Sequence, residues 1–156
     1  TVPLWANLGK SKRKELELAP SDYAASMDRL WKFCDVFVIN VSSPNTPNLR
    51  ELQHDDALES IVQACQKINR KYADSTNSKP KPLLVKIAPD LNDVQLKAVV
   101  QTARDAGCDG IVATNTTIER PSSYPANEEK VFSQTGGMSG SPLTTRSTSM
   151  IHKISP

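Results

Sequence analysis

Polar side chains stand where four apolar runs of this sequence come to an end. Asn7 closes the first run and is followed by Gly9-Lys10. Asn40 closes Val36-Phe37-Val38-Ile39 and opens into Ser42-Ser43-Pro44-Asn45-Thr46. Lys86 sits inside Leu83-Leu84-Val85-Lys86-Ile87, ahead of Ala88-Pro89-Asp90, and Thr114-Asn115-Thr116-Thr117 follows Ile111-Val112-Ala113. A carboxamide offers both donor and acceptor atoms. Several converging amides suit a flat heterocycle with alternating C=O and N–H groups, or a carboxylate, and add no charge that would interfere with hydride or proton movement. A turn or cap accounts for any one Asn; it accounts poorly for polar groups at the same end of all four runs. A lysine inside an apolar strand either snorkels to solvent or needs a partner. In the functional reading Lys86 is a fixed positive charge beside an electron-rich ring or a phosphate.

The elements that must position these groups are legible. Residues 4–8, 36–41, 83–87 and 110–113 read as strands. The middle two contain continuous apolar runs, 36–39 and 83–85, as expected for strands of a parallel sheet buried on both faces. Between them Tyr23, Met27, Leu30 and Trp31 recur at helical spacing behind Pro20. Leu58, Ile61, Val62, Cys65 and Ile68 form a second stripe that Asp55 or Asp56 can cap. Leu96, Val99, Val100 and Ala103 form a third, after Asn92-Asp93 and before Gly107. A further helix is expected from about Thr144. Residues 75–82 read as a polar surface connection, and 119–134 as a long irregular stretch of the kind used for active-site lids or disordered segments. The order β-α-β-α-β-α-β implies parallel strands with right-handed crossovers. A doubly wound sheet and a (β/α)8 barrel both fit, and both build sites at the carboxyl ends of the strands.

Composition excludes other classes. The chain has 156 residues with 19 Lys+Arg against 17 Asp+Glu, a net charge of +2 that argues for neither nucleic acid nor an anionic surface. The cluster Lys10, Lys12, Arg13 and Lys14 reads as a solvated basic loop. Three widely spaced cysteines and two histidines give no disulfide framework, zinc site or Ser-His-Asp triad. No apolar run approaches the ~20 residues of a membrane-spanning helix, and no secretory signal pattern is present. Starting at Thr1-Val2-Pro3 and stopping inside an apolar pattern, the chain reads as an excerpt of something longer.

The run NVSSPNTPNLRELQ over residues 40–53 closely resembles the signature loop of the class 2, quinone-reducing dihydroorotate dehydrogenases. Four more segments occur in that family's order: Asn7-Leu8-Gly9-Lys10, then 85–91 (VKIAPDL), then 114–117 (TNTT), then 136–143 (GGMSGSPL). The resemblance covers the whole chain. It implies an α/β fold, a (β/α)8 TIM barrel, of which residues 1–156 supply about four central β-α units of the FMN-binding domain. The N-terminal membrane and quinone helices and the C-terminal strands lie outside it. It implies FMN as cofactor and no metal. Dihydroorotate would be oxidised to orotate in pyrimidine biosynthesis, with ubiquinone or menaquinone as electron acceptor.

By resemblance Ser43 is the base that removes the C5 proton, and Thr46 assists it. Asn40, Asn45, Asn115 and Thr116 match substrate contacts, while Asn7, Asn40, Lys86, Thr114 and Gly140 match flavin contacts. Class 1 relatives carry Cys at the base position, so Ser43 points to class 2. Ser141 stands where many relatives have Lys, a departure expected to be tolerated if the neighbouring backbone makes the contact. The class also implies association with a membrane surface, the cytoplasmic face of a bacterial inner membrane or the mitochondrial inner membrane, with no nucleic-acid partner. The rival readings are a non-catalytic α/β remnant and a class 1 type enzyme with a soluble acceptor. Taken alone, the 156-residue piece is expected to be inactive and to bind FMN weakly or not at all.

Overall fold

The computed structural model describes residues 2–46, 48–53 and 55–155. Four strands, β1 (Trp5–Leu8), β2 (Val36–Asn40), β3 (Leu83–Ile87) and β4 (Gly110–Ala113), form one sheet in the order β1-β2-β3-β4, each pair parallel. Helices α1 (Ala19–Leu30), α2 (Asp55–Ser75) and α3 (Asp93–Asp105) make the crossovers. Right-handed crossovers between strands that follow one another without reversal place every helix on the same side of the sheet. A doubly wound sheet reverses its strand order and covers both sides, so the arrangement here is that of consecutive units of a barrel wall.

Period-two alternation sorts the side chains. Ala6, Leu8, Phe37, Ile39, Leu83, Val85 and Ile87 face the helices and are buried there. They meet Tyr23 and Met27 of α1, Leu58, Ile61, Val62 and Cys65 of α2, and Leu96, Val99 and Ala103 of α3 in one core. The other face carries Asn7, Val38, Asn40, Leu84 and Lys86. The continuous apolar runs are thus explained in part: Val38 is buried on that second face, whereas Leu84 is only half-buried.

Local chemistry sets the helix ends. Pro20 lies in the first turn of α1, where its missing N–H costs nothing. At α3 the Asn92 side chain accepts from the Gln95 amide at 2.9 Å while the Gln95 side chain accepts from the Asn92 amide at 3.0 Å, a reciprocal cap. Gly107 follows that helix at φ +83°, a conformation that suits glycine. Of the two expected caps of α2, Asp56 lies inside the first turn, favourably placed for the helix dipole; the side chain of Asp55 and the residue before it lie outside what is described. The last long helix, α5 (Ser141–Ile154), begins three residues earlier than expected from Thr144, because Pro142 fits its first turn. The stretch 119–134 contains a short helix, α4 (Glu129–Phe132), and is tied into a closed excursion by Arg120. Its guanidinium donates to the carbonyls of Phe132 (3.1 Å), Gln134 (3.0 Å) and Gly136 (2.8 Å).

In the basic loop after β1, Lys12, Arg13 and Lys14 are exposed as expected, and Lys10 alone departs from it. Lys10 is buried rather than solvated, and its ammonium donates to the backbone carbonyls of Ser11 (3.0 Å) and Lys14. Those two carbonyls offset part of the cost of burying the charge.

The three cysteines are free, Cys34 and Cys65 buried and Cys108 half-buried. Burial pushes the Cys65 and Cys108 thiols up to about 12. The fold therefore favours the protonated thiols. Their contribution is complete below the ordinary thiol range and is lost as pH rises through it towards 12. Cys65 is expected to resist iodoacetamide at pH 8 until denaturant is added, read by mass spectrometry. Labelling of the native protein at the rate of the denatured chain would contradict its place in the core.

Candidate active site at the carboxyl ends of the strands

In-register pairing brings the first two groups together. Asn40 is the direct partner of Lys86 across β2 and β3, and Asn7 lies on the same face, opposite Val38, the residue two before Asn40. Directly paired residues of a parallel sheet project the same way. An amide and an ammonium therefore stand side by side at the end of the sheet, with a second amide one strand away. Among the described residues the Lys86 ammonium makes no hydrogen bond or ion pair, although the residue is half-buried. A half-buried ammonium beside an amide at this end of the sheet is suited to an electron-rich partner.

The loop after β2 folds back onto the strand end. Asn40 Oδ1 accepts from the Ser42 amide (3.1 Å) and the Ser42 hydroxyl (2.9 Å), and Asn115 Nδ2 lies 3.5 Å from it. Asn115 Nδ2 also donates to Ser42 Oγ at 3.1 Å, and Asn115 Oδ1 accepts from the Thr116 amide at 2.8 Å. Ser42 itself is fully buried. These bonds fix both amide planes. The Asn40 oxygen is engaged by protein, and its NH2 has no acceptor among the described residues, so it is left as a donor for a ligand carbonyl. Ser43, next in the chain, is half-buried, and its Oγ accepts from the Asn45 amide at 3.3 Å.

The glycine-rich segment closes over this loop. Thr117 and Met138 exchange backbone hydrogen bonds of 3.1 and 2.7 Å in an isolated antiparallel bridge. This holds Gly137 so close to Thr116 that a Cβ there would come within 1.8 Å of Thr116 Oγ1 and 3.1 Å of Pro44 Cγ. A Cβ on Gly136, which has φ +113°, would lie 3.4 Å from Asn45 Oδ1. Only glycines permit the approach. Asn45 is thus brought against this segment on the exposed side.

Of the expected site residues, Asn40, Ser43, Asn45, Asn115 and Thr116 form one continuous cluster, and Lys86 adjoins it through Asn40. Asn7 shares the face but is exposed and makes no hydrogen bond to the cluster. Among the described residues no hydrogen bond joins the Thr46 hydroxyl to Ser43. Thr114 follows β4 with its hydroxyl turned to the Asn115 carbonyl (2.9 Å), and Gly140 stands exposed before α5. A cleft of about 420 Å³ lies between α3 and the loop residues Arg50, Gln53 and Asp90, and one of about 620 Å³ lies between α3 and Lys153 and Ile154; none of the expected site residues lines either. No group of three or more His, Cys, Asp or Glu able to hold a metal ion occurs among the described residues.

Sequence reasoning missed Ser42, Arg50 and the role of Asp90. Arg50 Nη1 meets Asp90 Oδ2 at 2.6 Å, and its other nitrogens donate to the Ser42 carbonyl (3.3 Å) and the Thr116 carbonyl (3.1 Å). The signal was present, since Arg50 lies inside the loop that carried the resemblance.

The family model "Dihydroorotate dehydrogenase" matches residues 2–156. The chain belongs to the dihydroorotate dehydrogenase family. It is 42% identical over 154 residues to a dihydroorotate dehydrogenase (quinone) of Christiangramia forsetii, covering 99% of this chain and 43% of that protein. It is 46% identical over 153 residues to one of Gloeobacter violaceus, covering 98% and 40%. Among solved structures it superposes on the DHODH of Eimeria tenella in complex with ferulenol with a TM-score of 0.85 at 36% identity, over 95% of this chain and 41% of that one. The chain spans about two-fifths of the length of the relatives it matches. Dihydroorotate dehydrogenases are generally flavin-dependent, and the Lys86 ammonium paired with Asn40 has the charge and hydrogen-bonding character that suit such a group.

The Gly137–Thr116 approach is directly testable. Replacing Gly137 with Ala should force the bridge or the loop apart and destabilise the protein by about 1–3 kcal/mol in urea denaturation. A variant as stable as the parent would show that the glycine-rich segment does not press on Thr116.

Proposed function

We propose that the protein containing this chain is a class 2 dihydroorotate dehydrogenase, oxidising dihydroorotate to orotate with FMN and passing the electrons to ubiquinone or menaquinone. The observation that carries this reading is the pairing of Asn40 with Lys86 on one pleat, with Asn115 bonded to Asn40 and Ser42 and with Ser43 next in the loop, in a chain of this family. Amides of Asn40, Asn45 and Asn115, with the Thr116 hydroxyl, hold the substrate's carbonyl, N–H and carboxylate groups. Ser43 takes the C5 proton. A serine hydroxyl is a weak base at neutral pH and needs an activator; no histidine is near it in the sequence, so Thr46, through an ordered water, relays the proton onward. Bound FMN would supply the acceptor for the C6 hydride and the store of two electrons for the quinone. Lys86 would hold the flavin by supplying a positive charge for the negative charge of its reduced form, and Asn7, Thr114 and Gly140 would be further flavin contacts.

The quinone follows from class, and class follows from Ser rather than Cys at position 43 together with relatives whose names carry the word quinone. Association with a membrane surface belongs to the same inference. Among the described residues no helix is long and apolar enough to cross a membrane.

In the whole enzyme Ser43→Ala should slow flavin reduction by dihydroorotate about 10²- to 10⁴-fold at pH 7 while leaving flavin bound. A wild-type rate would remove Ser43 from the base role. Lys86→Ala should lower flavin content or slow its reduction, read by absorbance and stopped flow; an unchanged half-reaction with full occupancy would make Lys86 structural. Steady-state rates with a ubiquinone analogue against fumarate or NAD separate class 2 from class 1.

A further inference from the structure

Arg50 occupies an unusual position: one guanidinium reaches three separate loops. It bonds Asp90 in the loop after β3 (2.6 Å), the Ser42 carbonyl in the loop after β2 (3.3 Å) and the Thr116 carbonyl in the loop after β4 (3.1 Å). Its two carbonyl acceptors flank the chemistry, since Ser42 precedes Ser43 and Thr116 follows Asn115. Asp90 in turn accepts from the Thr117 hydroxyl and, at 3.3 Å, from the Ile118 amide, and Arg146 of α5 lies 3.8 Å from its other oxygen. Side-chain exposures of 21% and 14% put Arg50 and Asp90 largely out of water, so the pair is weakly screened and each charge depends on the other.

We propose that Arg50, braced by Asp90, is a positioning residue for the oxidation of dihydroorotate: it sets the distance between the Ser43 loop and the Asn115–Thr116 loop, and so aims the Ser43 hydroxyl at the substrate held by the amides. The inference rests on the reading of Ser43 as the base. The planar fork is needed because three acceptors lie in different directions. A lysine at 50 supplies the charge as a point and reaches Asp90 or one carbonyl, but not all three. A loop released in this way leaves the fold and the flavin in place and displaces Ser43 by a fraction of its working distance, where rate is lost steeply.

The test is a double-mutant comparison in the full-length, flavin-loaded enzyme, following flavin reduction by dihydroorotate and reoxidation by a short-chain ubiquinone analogue. Arg50→Lys should slow reduction about 10- to 100-fold, with flavin content and the reoxidation rate within about twofold of the parent. In a Ser43→Ala background the same substitution should change the residual reduction rate less than about threefold, because the group it positions is gone. Equal fold-losses in both backgrounds, a parallel loss of flavin or of reoxidation, or an unchanged rate in R50K would each overturn the proposal. If R50K does not yield folded enzyme, Asp90→Asn, which keeps the shape and removes the charge, provides the same comparison with a smaller loss of about 3- to 10-fold. A wild-type rate in S43A alone would instead defeat the reading of the base, a result distinguishable from failure of the Arg50 proposal.

Discussion

In-register pairing of parallel strands makes side-chain direction a property shared across the sheet. With Asn40 opposite Lys86 and Val38 opposite Asn7, one pleat carries the polar groups of three strands to a single face, while Phe37, Ile39, Leu83 and Val85 turn to the helices. A slip of one residue in β2 would exchange these sets, burying Asn40 among the helices and exposing Ile39. The hydrophobic core therefore enforces the geometry of the polar face. Burying four large side chains, each contributing about 1.5–3 kcal/mol, outweighs any preference the polar groups have for another register.

Core and site are joined at a few bonds. Tyr23, fully buried in α1, donates its hydroxyl to the Asn40 carbonyl at 2.7 Å, so the residue that anchors the amide cluster is held from the helix side as well. Gln53 fastens the loops after β2 and β3 to each other: its side chain accepts from the Ala88 amide at 3.0 Å and donates to the Arg50 carbonyl at 3.2 Å. Arg146 carries the tie on to α5 by donating to the Pro89 carbonyl at 2.5 Å and to Glu119. The rim is a set of loops pinned by buried or half-buried polar groups to a rigid floor, which is how loop-borne chemistry attains fixed geometry.

Much of the frame was legible because it obeys local rules. Strands β3 and β4 begin and end where their apolar runs do, and the Asn92 cap and the Gly107 stop bound α3 as expected. The choice between a doubly wound sheet and a barrel was not legible from periodicity, since both give the same alternation; strand order decides it. Lys10 was misread because a charged run looks solvated in sequence, whereas two carbonyls created by a local turn capture its ammonium. Arg50 and Asp90 went unassigned for a related reason. Their partner is 40 residues away in the chain, and the bonds to Ser42 and Thr116 are to backbone atoms that no residue type advertises. Of the site residues, those on strand ends could be placed by counting along the pleat. Those whose position is set by loop-to-loop contacts, such as Asn45 and Thr116 beneath the glycines, could not.

Asn7, Asn40, Lys86, Ser43 and Asn115 are proposed to share a single ligand-binding face. A crystal structure of the complete protein with flavin and orotate tests it most directly. The expected result is the orotate ring in hydrogen bonds with the Asn40 and Asn115 amides, Ser43 Oγ about 3–3.5 Å from its C5, and the Lys86 ammonium at the flavin edge. Orotate bound elsewhere, or Lys86 and Ser43 directed away from both rings, would contradict it.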